Sequence, residues 1–190
     1  METVQPIRDL KQIEEMKKKL LAQSARDHLL FVLGINSGLR ISDILRLRIR
    51  DVMDHGGRPR TFFRLIESRT MKEKTFPFGE NVRNAINLYV EETGQWPDSD
   101  EYLFKSRMGS RPISRQRAHQ ILNQAARSVG IQDKIGTHTL RKTFGYHAYK
   151  SGVDITWLKS IFNHSAPSVT LRYIGVTEEE TDDIVIDLNL

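Results

Sequence analysis

GTHTLRKTFGYHAYKSG, residues 136–152, reads as a helix with chemistry in its first turn. Thr137 can cap a helix that begins at His138 and runs to about 151, with Gly152 near its end. His138 and Arg141 are three apart, so they share one face. An anion at this helix N-terminus would meet backbone amides, an imidazole and a guanidinium together. The plain alternative is a partly exposed surface pair, because HxxR spacing is common. The stretches on either side bear on the choice.

NSGLRISDILRLRIRDV, 36–52, places Arg40 at a glycine-marked break between helices. An arginine there can point into a cleft, with Asp43 holding its fork from behind. The alternative is a surface ion pair that contributes little. FNHSAPSVTLRYIG, 162–175, puts Tyr173 nine residues after His164, with Pro167 between them. Tyr173 is either an aromatic at a helix end or a nucleophile. Arg40, His138, Arg141, His164 and Tyr173 make a coherent chemical set. Two arginines can neutralise the charge that spreads over a phosphoryl group in its transition state. Histidines move protons near neutral pH. A tyrosine needs a base or a cationic setting to attack. Together they describe metal-free attack by a tyrosine on a phosphodiester.

The rest of the chain reads as helices around one small hairpin. DLKQIEEMKKKLL, 9–21, places Leu10, Ile13, Met16 or Lys17, and Leu20 on one helical face. Ser24 caps an apolar, buried helix over 25–36, and Ser42 caps a short helix that reaches about residue 50. DHGGRP, 54–59, is a turn. TFFRLIES, 61–68, and KTFPF, 74–78, pair as strands, with Pro77 favouring an edge. Further helices are expected at about 80–92, 114–129, 138–151, 154–162 and 167–173, with Gly94, Gly130, Gly152 and Gly175 near their ends. The class is α+β, mainly helical with a small antiparallel sheet. The absence of βαβ alternation argues against a nucleotide-binding α/β fold.

Composition narrows the partners. The 190 residues include no cysteine, which excludes disulfides and thiolate chemistry. METVQPIRDL has no signal pattern, and the apolar run LLFVLGI is too short to span a bilayer, so a cytoplasmic protein is expected. The net charge is +5, but all six acids after Tyr173 lie in a tail without Lys or Arg, so residues 1–173 alone carry +11. Such a basic body suits a polyanion, most simply nucleic acid.

The chain resembles the catalytic domain of the tyrosine recombinases, or phage-type integrases. SGLRISD is similar to the family's first arginine box, with Arg40 and its acidic companion Asp43. THTLRKTF resembles its HxxR box, with His138 and Arg141. FNHSAPSVTLRYIG resembles its last box, with His164 and the nucleophile Tyr173. The resemblance implies the recombinase catalytic-domain fold over residues 1–175, an acidic and apolar tail over 176–190, and no N-terminal core-binding domain. It implies a site-specific recombinase acting on double-stranded DNA, as a homotetramer on paired sites, with neither metal nor other cofactor. Arg40 and Arg141 would hold the scissile phosphate. His138 would move the tyrosine's proton, and His164 would hydrogen-bond the phosphate.

One position departs from the family. Arg69, followed by Thr70, stands where a hairpin lysine is expected. An arginine cannot readily give up a proton. Lys72 is therefore taken as the donor to the leaving oxygen, with Arg69 as the alternative. Two rival readings stay open: a DNA-relaxing enzyme like the type IB topoisomerases, and a catalytically silent DNA-binding relative. In the tail, IVIDLNL is apolar enough to dock on its own domain or on a neighbouring protomer.

Overall fold

Ser24 closes one helix and opens the next. Its N–H donates to the Leu20 carbonyl at 2.8 Å, and its hydroxyl accepts from the Asp27 amide at 3.4 Å. Both are end groups that a helix leaves unsatisfied. This serine joins α1 (Leu10–Gln23) to α2 (Ala25–Ser37) in the computed structural model, which describes residues 4–66, 73–94, 97, 99–177 and 180. α1 buries Ile13, Met16 and Leu20. Leu10, expected on that face, is 65% exposed, because the first helical residue projects past the packed stripe. α2 is apolar on nearly all sides and contacts α1, α5 and α7.

The single helix expected from Ser42 to about residue 50 is two: α3 (Ile41–Ile44) and α4 (Ile49–Val52). Long-range pairing splits them. Leu103 donates to the Leu47 carbonyl at 2.7 Å, and Ile49 donates to Glu101 at 3.0 Å, so Arg48 between them runs extended and bridges Tyr102. Arg40, not Ser42, is the N-cap of α3, with extended backbone at φ −73° and ψ 144°.

β1 (Phe62–Ile66) and β2 (Glu73–Pro77) form an antiparallel pair with Phe63 opposite Phe76. Phe63 stacks on Phe76 and Phe78, with centroids 5.3 and 4.9 Å apart, and this tethers the hairpin to the core. Residues 67–72, and with them Arg69 and Lys72, lie outside the described residues. α5 (Glu80–Thr93), α6 (Arg115–Ser128), α7 (Thr137–Lys150), α8 (Ile155–Phe162) and α9 (Pro167–Ile174) follow. α7 begins one residue early. Gly136 is its N-cap, and the Thr139 hydroxyl, not Thr137, closes the turn by accepting from the Gly136 amide at 3.1 Å. Among the described residues no helix is long and apolar enough to cross a membrane.

A large core runs through α1, α2, α5, α6 and the hairpin. A smaller one, built on Leu158, Phe162 and Ile174, joins α8 and α9 to α7. The second core has no slack at Gly145. A Cβ there would fall 2.5 Å from Ile174 and 2.8 Å from the Phe162 ring. Gly145→Ala should therefore overpack the site and cost about 1–3 kcal/mol, read as a lower midpoint in chemical denaturation. Of the tail, Glu180 is tied to its own chain. It accepts from Tyr146 at 2.9 Å and from the Thr177 amide at 3.0 Å, and it pairs with Lys150 at 3.2 Å. Residues 181–190 lie outside the described residues, so the docking expected of IVIDLNL does too.

Candidate active site

The site starts at a turn only glycine suits. Gly38 caps α2 at φ 63°, and a Cβ there would meet the Phe144 ring at 2.6 Å. This turn delivers Arg40, half-buried, to the end of α3. Asp43 follows one turn later and is buried.

Arg141 is locked from three sides. Nη1 donates to the Gly38 carbonyl, Nη2 donates to the Ile161 carbonyl at 3.2 Å, and the guanidinium lies 4.5 Å from the Phe162 centroid. One side chain thus joins α7 to the turn bearing Arg40 and to the end of α8. The side chain is 5% exposed, so its geometry is set before any ligand arrives.

Arg40, Ser42, Arg115, Thr137, His138 and Arg141 line one cavity of about 140 Å³. Three guanidiniums, an imidazole and two hydroxyls form a chamber for a phosphate-sized anion. Arg115, the first residue of α6, was not singled out from the sequence. Its only local mark is the preceding Ser114, whose hydroxyl caps the helix by accepting from Arg117 at 3.0 Å. Partial desolvation, then the charges of Arg115, Arg141, Lys142 and Arg40, hold the His138 pKa below its ordinary value. Desolvation, then Arg141 and Arg40, do the same to His164. Both imidazoles are therefore neutral at pH 7. Histidine resonances of the free protein should titrate with midpoints below the ordinary value of about 6.5. An added phosphodiester should raise both midpoints, as an anion favours the imidazolium. The sign for stability follows. The unfolded chain takes up these protons first, so folding stability falls as pH drops through about 6.5.

α8 and α9 present the remaining pair. Asn163 ends α8 in the left-handed conformation, φ 56°. It turns the chain so that His164 faces α9, where its Nδ1 lies 3.1 Å from the buried Thr170 hydroxyl. The His164 ring meets Tyr173 edge to face, with centroids 4.9 Å apart, and Phe162 supports Tyr173 at 5.4 Å. The buried Lys142 ammonium lies 5.2 Å from the Tyr173 centroid. Burial pushes the Tyr173 pKa up, against Arg141, which attracts and hydrogen-bonds it, and Arg40. The phenol is neutral at rest and already touches an arginine of the anion chamber.

Arg40, His138 and Arg141 thus share a chamber, and His164 and Tyr173 stand at its Arg141 side. Thr170, Lys142 and, on β2, Lys74 complete the surroundings and were not anticipated. Thr170 had a sequence signal: it lies six residues after His164, on the same face of the helix as Ile174, the neighbour of Tyr173.

Residues 8–180 match the sequence model of the Phage integrase family. The chain belongs to that family. With the family comes the enzyme class, a tyrosine-type site-specific DNA recombinase. The probable integrase/recombinase YoeC of Bacillus subtilis is 46% identical across 95% of this chain and 94% of its own length. The fold is that of the recombinase catalytic domain. A crystal structure of XerA recombinase superposes with a TM-score of 0.75 at 20% identity, over 96% of this chain and 62% of that one. XerH bound to its palindromic difH substrate, a post-cleavage complex, gives 0.74 at 16% identity, over 95% and 52%. The chain therefore spans a little over half the length of these structural relatives.

Proposed function

We propose that the protein cuts and rejoins double-stranded DNA at specific sites through a bond between Tyr173 and a 3′-phosphate. The observation that carries this is the shared anion chamber of Arg40, His138 and Arg141, with Tyr173 against Arg141. The two arginines hold the scissile phosphate, and Arg115 adds a third positive charge. Tyr173 Oη attacks phosphorus as the bond to the 5′ oxygen breaks. The neutral His138 takes the phenol proton. Lys72, or Arg69 in its place, protonates the departing 5′ oxygen.

His164 hydrogen-bonds the phosphate through Nε2. The Thr170 hydroxyl is 3.1 Å from Nδ1 and 3.4 Å from the Ala166 carbonyl. Donating along the shorter contact leaves the imidazole proton on Nε2, facing the phosphate. A 5′-hydroxyl of a second strand then displaces Tyr173 and takes over the phosphorus. One phosphodiester replaces another, so no ATP is needed, and Arg40, Arg115 and Arg141 supply the positive charge. Four copies act on paired sites, and the free protein is a cytoplasmic monomer.

Covalent trapping on nicked duplexes drawn from DNA flanking the protein's own gene tests this. A protein–DNA adduct on a denaturing gel is expected. Salt-sensitive binding without an adduct would instead mark a silent DNA-binding relative. Relaxation of supercoiled plasmid without strand exchange would mark a topoisomerase-like enzyme.

A further inference from the structure

Lys74 lies in β2, yet its ammonium belongs to the active site. Nζ donates to the Ser160 carbonyl at 3.1 Å, the Ile161 carbonyl at 3.3 Å and Asn163 Oδ1 at 3.0 Å. The last carbonyls of a helix lack intrahelical partners and carry its negative dipole end, so a cation is favoured there. Two of these contacts bear directly on the site. Asn163 is the left-handed residue immediately before His164, and Lys74 fixes its side chain. The Ile161 oxygen also receives Nη2 of Arg141 at 3.2 Å. One carbonyl thus takes a donor from α7 and another from β2. Two cations converging on one oxygen repel each other, and an anion in the neighbouring chamber would relieve that.

We propose that Lys74 is a positioning residue that locks the β1–β2 hairpin to the end of α8, and so sets the hairpin in register with His164 and Arg141. A fixed Asn163 side chain and Ile161 carbonyl keep His164 and Arg141 in place, whichever atom leaves. Carbonyl and amide oxygens at the end of α8 hold the Lys74 ammonium, which suits a lock better than a proton donor. The assignment of a register to the hairpin rests on the recombinase reading above.

Single-turnover cleavage of a nicked duplex by Lys74→Met and Lys74→Arg tests it, on a normal scissile phosphate and on one with a bridging 5′ sulfur. A thiolate leaves without an acid. Lys74→Met should be slowed roughly ten- to hundredfold on both substrates, the rate equivalent of one charged hydrogen bond. Lys74→Arg should recover most of the rate, because a guanidinium also donates to carbonyls. Full rescue of Lys74→Met by sulfur would confine Lys74 to leaving-group protonation and overturn the proposal, as would an unchanged rate. If Lys74→Arg restored the melting temperature but not the rate, a purely structural role would replace it. A readout without catalysis keeps the two readings apart. In Lys74→Met the His164 resonances should shift, and Asn163→Gly, which keeps the left-handed turn, should shift them in part. Unmoved His164 resonances in both variants would overturn the lock, whether or not the wild-type protein forms an adduct. Absence of the wild-type adduct alone would count against the recombinase reading.

Discussion

Tyr173→Phe should bind DNA as tightly as the wild-type protein and form no covalent adduct at all. The substitution removes one hydroxyl. The ring's edge-to-face contact with His164 and its packing on Phe162 both remain. The arginines that attract DNA are untouched, so the affinity and its salt dependence should hold. What disappears is the phenol seated against Arg141, the nucleophile of the proposed reaction. No neighbour can substitute. The chain has no cysteine, and His164 is engaged at Nδ1 by Thr170 and, in the proposed reaction, at Nε2 by a phosphate oxygen. A gel-shift titration beside a denaturing gel reads both halves. A residual adduct in Tyr173→Phe would move the nucleophile elsewhere.

Arg141→Ala should slow cleavage by at least ~10²-fold, the scale of removing one preorganised donor from a developing charge. It should also unfold more easily than Arg40→Ala. Arg141 satisfies the Gly38 and Ile161 carbonyls and covers Phe162. Removing it strands the buried Gly38 carbonyl, at about 1–3 kcal/mol, and leaves Ile161 to Lys74. Arg40 is half-buried at the end of a four-residue helix, and its loss should show mainly in the rate. Arg141→Lys keeps the charge but not the planar fork, so it should behave closer to alanine than to wild type. Single-turnover rates set against denaturation midpoints separate the two effects. Equal rates for Arg141→Ala and wild type would remove Arg141 from the chemistry.

Most of the helices were legible because their ends are written locally. Ser24 caps α2, and Gly94, Gly130, Gly152 and Gly175 follow α5, α6, α7 and α9 with φ between 61° and 87°. The break between α3 and α4 was not legible. It exists because Leu47 and Ile49 pair with residues some fifty positions away, and no local pattern announces such a partner. The site divides the same way. Arginines, histidines and a tyrosine in ordered boxes could be named by residue type, and the chamber gathers three of them. Arg115 and Lys74 matter only through where α6 and β2 are packed. Their neighbours in sequence are ordinary polar residues, so nothing short of the fold brings them forward.

Gly145 sits one turn after Arg141 on α7, and it touches Ile174, the residue next to Tyr173. The gap between Arg141 and Tyr173, the proposed phosphate holder and nucleophile, is therefore a fixed dimension of the scaffold, gauged by bare backbone against a methyl group. Reaction geometry of this kind tolerates errors of well under an ångström. Attempts to retarget the protein to new DNA should leave this gauge alone. A single added methyl at Gly145 would detune every target at once, whatever its sequence.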